Sequence, residues 1–106
     1  MSGWLDVVGI GEDGLDGLAP AVRALVDAAE VVVGGERHLA MLPDGHPAER
    51  VRWSKPFEDS CTAIERHAGK RVVVLTTGDP MHYGAGATLA RRMPDALGTI
   101  VPAPGA

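Results

Sequence analysis

Three short, valine-rich runs set the narrowest limit on what this chain can fold into. They are Trp4 to Ile10, Val31 to Val33 and Val72 to Leu75, each followed by glycine or threonine. Runs this brief and this largely apolar, with Asp6 the one charged residue in them, suit strands covered on both faces, which is the situation of a parallel sheet. The segments between them carry helical spacing instead. Val22, Leu25, Val26 and Ala29 share one face of a helix expected to begin near Pro20, a residue favoured in a first turn. Phe57, Cys61, Ile64 and Ala68 repeat in the same way, with Gly69 as the stop. Arg37 to Met41 and Ala85 to Met93 read as two further helices, ended by Pro43 and Pro94. Leu42 to Pro47 reads as a surface loop, Glu49 to Trp53 as a short edge strand, and Ile100 with Val101 as a last strand. Strands alternating with helices predict an α/β fold, a five-stranded parallel sheet with helices on both faces.

A chain of 106 residues accommodates one such domain and not two. Its 45% hydrophobic and 23% charged residues describe a folded protein, and a net charge of -4 offers no concentrated basic face for nucleic acid. The single cysteine, Cys61, excludes an internal disulfide and reads as a small apolar core residue. With no HxH, HExxH or Cys/His cluster, no metal site is expected, and His46 and His67 read as surface histidines. No stretch reaches the roughly 18 apolar residues of a membrane span, and Met1 to Val8 lacks a basic leader, so a cytoplasmic protein is expected.

Ligands of parallel sheets bind beyond the carboxyl ends of the strands. Chemistry is therefore sought at Gly9 to Gly14, Gly34 to His38, Thr76 to Tyr83 and Ala103 to Ala106. Gly9, Gly11 and Gly14 satisfy GxGxxG after the first strand, the pattern of a dinucleotide-binding loop. That motif needs a helix opening within the loop to face the pyrophosphate, whereas the helix here is expected only at Pro20. Glu12 and Asp13 would also put two negative charges in the cradle, and no acid ends the second strand. An NAD(P)-dependent oxidoreductase remains an alternative, as does a purely structural turn. The densest constellation is Thr76 to Gly84, TTGDPMHYG. Its glycine permits close backbone approach, its threonines supply hydroxyls, and Asp79 accepts hydrogen bonds or, on the plainer reading, caps a turn.

Three motifs, VVGIGEDGLDGL at Val7 to Leu18, VVVGGERHL at Val31 to Leu39 and LTTGDPMHYGAGATLARR at Leu75 to Arg92, together with the terminal VPAPGA, resemble the cobalamin-pathway tetrapyrrole methylases, and most closely their precorrin-6Y branch. The resemblance covers nearly the whole chain and is weakest between Pro43 and Lys70. It implies a strand order of 3-2-4-1-5, with residues 1–106 forming the N-terminal α/β domain of a two-domain enzyme whose second domain lies outside this chain. It implies S-adenosyl-L-methionine as cofactor, held at Thr77, Gly78, Asp79, His82, Gly105 and Ala106. It further implies a methyl transfer to carbon of an anionic corrinoid, bordered by Gly9, Gly11, Arg37 and His38, the last two as cations facing its carboxylates. A decarboxylating methyltransferase domain or protein would complete the full reaction. Departures exist: Glu12-Asp13 stands where many relatives have Pro-Gly, and Gly105 where a hydroxyl residue is frequent. Without its second half the chain is expected to be inactive and to associate, as a homodimer or as a non-catalytic self-associating fragment.

Overall fold

The computed structural model describes residues 3–10, 14–42, 45–52, 62–77, 91 and 95–101. Five strands form one sheet: β1 (Leu5–Ile10), β2 (Val31–Gly34), β3 (Glu49–Arg52), β4 (Val72–Thr77) and β5 (Leu97–Val101), side by side in the order β3-β2-β4-β1-β5. All four pairings are parallel. β4 lies at the centre, with Leu5 opposite Val72 on one side and Val31 opposite the same residue on the other.

The valine runs explain this arrangement. Side chains alternate across a strand, so an uninterrupted apolar run serves two cores at once. One core joins Val8, Ile10, Val32, Val73 and Leu75 to Leu18, Val26, Leu39 and Leu42. It is covered by α1 (Pro20–Asp27), α2 (Glu36–Ala40) and a 3-10 turn over Gly14–Gly17. The opposite core joins Leu5, Val7, Val31, Val33, Val72 and Val74 to Ile64, which comes from the helical residues 62–65. Ile64 is fully buried and is the residue through which that segment enters the core.

α1 begins where its sequence directs. Pro20 stands in its first turn, where the missing N–H is no loss, after Ala19 in an extended conformation with no side-chain cap. At its far end the Ala28 amide bonds back to the Ala24 carbonyl. Gly14 has φ of 62°, a left-handed conformation that favours glycine, and the chain turns there into the 3-10 segment.

Four expectations need correction. β4 runs on through Thr76 and Thr77, which were read as loop: both are β-branched and continue the ladder opposite Gly9 and Ile10. Gly34 closes β2 instead of stopping it, because α2 packs so closely that a Cβ there would stand 3.3 Å from His38 Cβ and 3.4 Å from Leu75 Cβ. β5 starts at Leu97, three residues before Ile100, across a register shift between its pairings with Leu5 and Val7. The shift accommodates Gly98, where a Cβ would come within 2.7 Å of Asp6 Oδ1. The 3-10 turn at Gly14–Gly17 was not anticipated.

His46 and His67 are not plain surface residues. The Ala48 amide donates to His46 Nδ1 at 3.1 Å, so the proton sits on Nε2, which donates to the Val26 carbonyl at 2.8 Å. His46 thereby ties the start of β3 to the end of α1. The His67 side chain is only 16% exposed and lies 3.2 Å from a Glu49 oxygen.

Candidate functional site at the carboxyl edge of the sheet

Parallel strands deliver their ends to a single edge of the sheet. Here that edge gathers Gly9 and Ile10 from β1, Gly34 from β2, Arg52 from β3 and Thr76 with Thr77 from β4. Gly9 stands opposite Thr76 and Ile10 opposite Thr77. Gly34 stands opposite Arg52.

Thr76 is the unusual member. It is 7% exposed, and its Oγ1 is buried without a hydrogen-bond partner among the described residues. Its place in the strand explains the burial: it follows Val72 and Val74 on the same face of β4, and its neighbour in register on β1 is Gly9, which has no side chain. A buried hydroxyl left unpaired costs about 1–3 kcal/mol, so sites of this kind call for an explanation. The sequence credits both Thr76 and Thr77 with hydroxyls in a ligand-facing loop, and the resemblance names only Thr77 as a cofactor residue. The signal that finds Thr76 is parity, since a polar residue on an otherwise apolar face at a strand's exit is the exception.

α2 brings the second group of candidates. Arg37 is exposed, and His38 is half-buried against Gly34. Burial pushes the His38 imidazole below its ordinary value of 6.5, and the neighbouring Arg37 cation pushes the same way. Both effects favour the uncharged imidazole, which weighs against His38 as a cation for substrate carboxylates. Arg52, missed in the sequence, stands at the same edge, 3.7 Å from Glu36. Both of these side chains are well exposed, so the pair adds little stability. Gly35, the first residue after β2, has nothing within 4 Å of the place a Cβ would take.

Of the sequence-selected residues, Gly9, Arg37, His38 and the backbone of Thr77 therefore fall at one edge. Gly11, Gly78, Asp79, His82, Gly105 and Ala106 lie outside the described residues. α1 starts at Pro20, well past Gly14, and no acid ends β2; both observations weigh against a pyrophosphate-binding helix in the glycine loop. Among the described residues no group of three or more His, Cys, Asp or Glu side chains could hold a metal ion, and no helix is long and apolar enough to cross a membrane.

The carboxyl edge of a parallel α/β sheet, here with polar and glycine residues gathered at it, is the place where ligands of such folds bind, and the comparisons give the family. The chain belongs to the tetrapyrrole (corrin/porphyrin) methylase family, whose match extends over residues 5–106. It is 44% identical over 104 residues to the precorrin-6Y C(5,15)-methyltransferase (decarboxylating) of Sinorhizobium sp, covering 98% of this chain and 25% of that protein. It is 36% identical over 85 residues to the cobalt-precorrin-7 C(5)-methyltransferase of Salmonella typhimurium, covering 80% of this chain and 42% of that protein. The solved uroporphyrin-III-C-methyltransferase of Thermus thermophilus matches with a TM-score of 0.74 at 27% identity, over 97% of this chain and 48% of that one. The chain thus spans between a quarter and a half of the length of these relatives.

Proposed function

We propose that this chain is the first domain of an S-adenosylmethionine-dependent methyltransferase that methylates a ring carbon of a corrinoid precursor in cobalamin biosynthesis. The observation that carries the reading is the match over residues 5–106, together with a carboxyl edge where the hydroxyl of Thr76 is buried without a partner among the described residues. Two relatives with precorrin in their names, one a C(5,15)-methyltransferase and the other a C(5)-methyltransferase, support carbon methylation as the reaction of this part.

S-adenosylmethionine, when bound, supplies an electrophilic methyl group on a sulfonium, so the protein needs no covalent nucleophile. Its own residues contribute position: holding two reactants in attack geometry is worth about 7–11 kcal/mol. Thr77, Gly78, Asp79, His82, Gly105 and Ala106 are assigned to the cofactor. Gly9, Gly11, Arg37 and His38 are assigned to the corrinoid, with Arg37 as the cation for its carboxylates and His38 as a neutral hydrogen-bonding group. The second methylase domain and a decarboxylating methyltransferase domain or protein are the partners this reading requires, and a homodimer of the chain belongs to it as well.

The test is calorimetric titration of the intact protein that carries this chain with S-adenosylhomocysteine, alongside methyl transfer to the reduced macrocycle. Saturable binding that is lost in Asp79→Ala and Gly78→Val is expected. Saturable binding of NADH in place of S-adenosylhomocysteine would overturn the reading in favour of an oxidoreductase. Light scattering over a concentration series reads the association state, and a strict monomer would remove the homodimer.

A further inference from the structure

The Thr76 hydroxyl is a polar group with no evident purpose in the fold. Valine has nearly the same shape, is at home on the same face at Val72 and Val74, and would leave nothing unpaired. Its position is nevertheless specific: the carboxyl end of the central strand, with the side-chain-free Gly9 opposite it in register and open space at Gly35 beyond the neighbouring strand. Thr76 is 7% exposed, its hydroxyl oxygen is buried, and the residue lies one position before the strand gives way to the GDP segment.

We propose that Thr76 is a cofactor-binding residue of the strand itself, whose hydroxyl bonds a neutral polar group of the nucleoside part of the bound cofactor. The assignment rests on the methyltransferase reading above and adds to it a contact from the strand. The neutral character follows from the surroundings. The same face carries Val7, Val72 and Val74, with Gly9 beside the hydroxyl, and no charged side chain among them. A carboxylate or ammonium brought there would lose its hydration without gaining an opposite charge from the described residues, whereas a ribose hydroxyl or the edge of adenine needs only a hydrogen bond. Thr76 then exchanges an unpaired hydroxyl for a paired one when the cofactor arrives.

A structural role and a ligand role predict opposite results for Thr76→Val. In the intact protein that carries this chain, Thr76→Val is expected to raise the denaturation midpoint of the free protein and to weaken S-adenosylhomocysteine binding about tenfold, the loss of one hydrogen bond to a group now unpaired. Thr76→Ser, which keeps the hydroxyl, is expected to bind within about threefold of the parent despite a lower midpoint. The probe 5′-methylthioadenosine, which lacks the charged amino-acid part, is expected to lose the same factor in Thr76→Val. Unchanged S-adenosylhomocysteine affinity in Thr76→Val overturns the contact while leaving the methyltransferase reading intact. A loss for S-adenosylhomocysteine with none for 5′-methylthioadenosine overturns the assignment to the nucleoside. Absence of S-adenosylhomocysteine binding by the parent protein sinks the methyltransferase reading first, and this assignment with it.

Discussion

Replacing His46 by alanine should destabilise the fold by about 2 kcal/mol, although its setting of proline and glycine reads as loop. Two hydrogen bonds are removed together: from Nε2 to the Val26 carbonyl at 2.8 Å and from the Ala48 amide to Nδ1 at 3.1 Å. The Val26 carbonyl keeps a second partner, the Ala29 amide at 3.2 Å, so its loss falls near the lower end of the about 0.5–1.5 kcal/mol of an ordinary hydrogen bond. The Ala48 amide has no such reserve. It belongs to a residue only 7% exposed, and an amide left unpaired there costs about 1–3 kcal/mol. Urea denaturation reads the sum. With a slope of about 1–3 kcal/mol per molar for a domain of this size, the midpoint should fall by roughly 1 M. Hydrogen exchange localises it, since the Ala48 amide should lose protection before the amides of β4 do. A midpoint shift under about 0.2 M, or unchanged protection at Ala48, would refute the claim that this imidazole fastens α1 to β3.

Ile64→Ala should cost about 2–5 kcal/mol by urea denaturation, because the only residue that brings the helical segment 62–65 into the core would leave a cavity, and a loss below 1 kcal/mol would mean the segment is dispensable. Gly14→Ala should cost about 1 kcal/mol in the same assay, since φ of 62° is strained for any residue with a Cβ, and an unchanged midpoint would mean the turn can rearrange. His38 makes stability depend on pH: its proton leaves more readily in the folded chain than in the unfolded one, so unfolding takes up a proton below the ordinary value of 6.5. The resulting stability is fully present above 6.5 and is lost as pH falls through the lower folded value. The midpoint of the parent should therefore drop between pH 7.5 and 5 more than that of His38→Gln, and parallel profiles would remove His38 as the cause.

The class of fold was legible because it depends on runs and spacings. The valine runs could only be strands, and Pro20 placed the start of α1. What the sequence concealed depends on contacts between distant residues. Thr76 and Thr77 look like the loop they adjoin until Gly9 and Ile10 are set opposite them. The start of β5 is hidden by Gly98, a residue depleted in strands, which suits that place because a Cβ there would stand 2.7 Å from Asp6 Oδ1. His46 sits among residues that signal a loop, and nothing in that composition reports a helix end twenty positions back. Of the site, Arg37 was legible as an exposed cation after the second strand, whereas the charge state of His38 was not, because burial against Gly34 decides it.

The central place of β4 has a consequence for how the chain is made. β1 and β2 are synthesised before β4, yet they never touch as partners: each waits for β4, with Leu5 and Val31 both paired to Val72. For the several seconds that separate their synthesis from that of β4, two valine-rich strands stand without the neighbour that will cover their edges. Nascent-chain folding should therefore begin abruptly, once residue 77 is available, and not build up strand by strand.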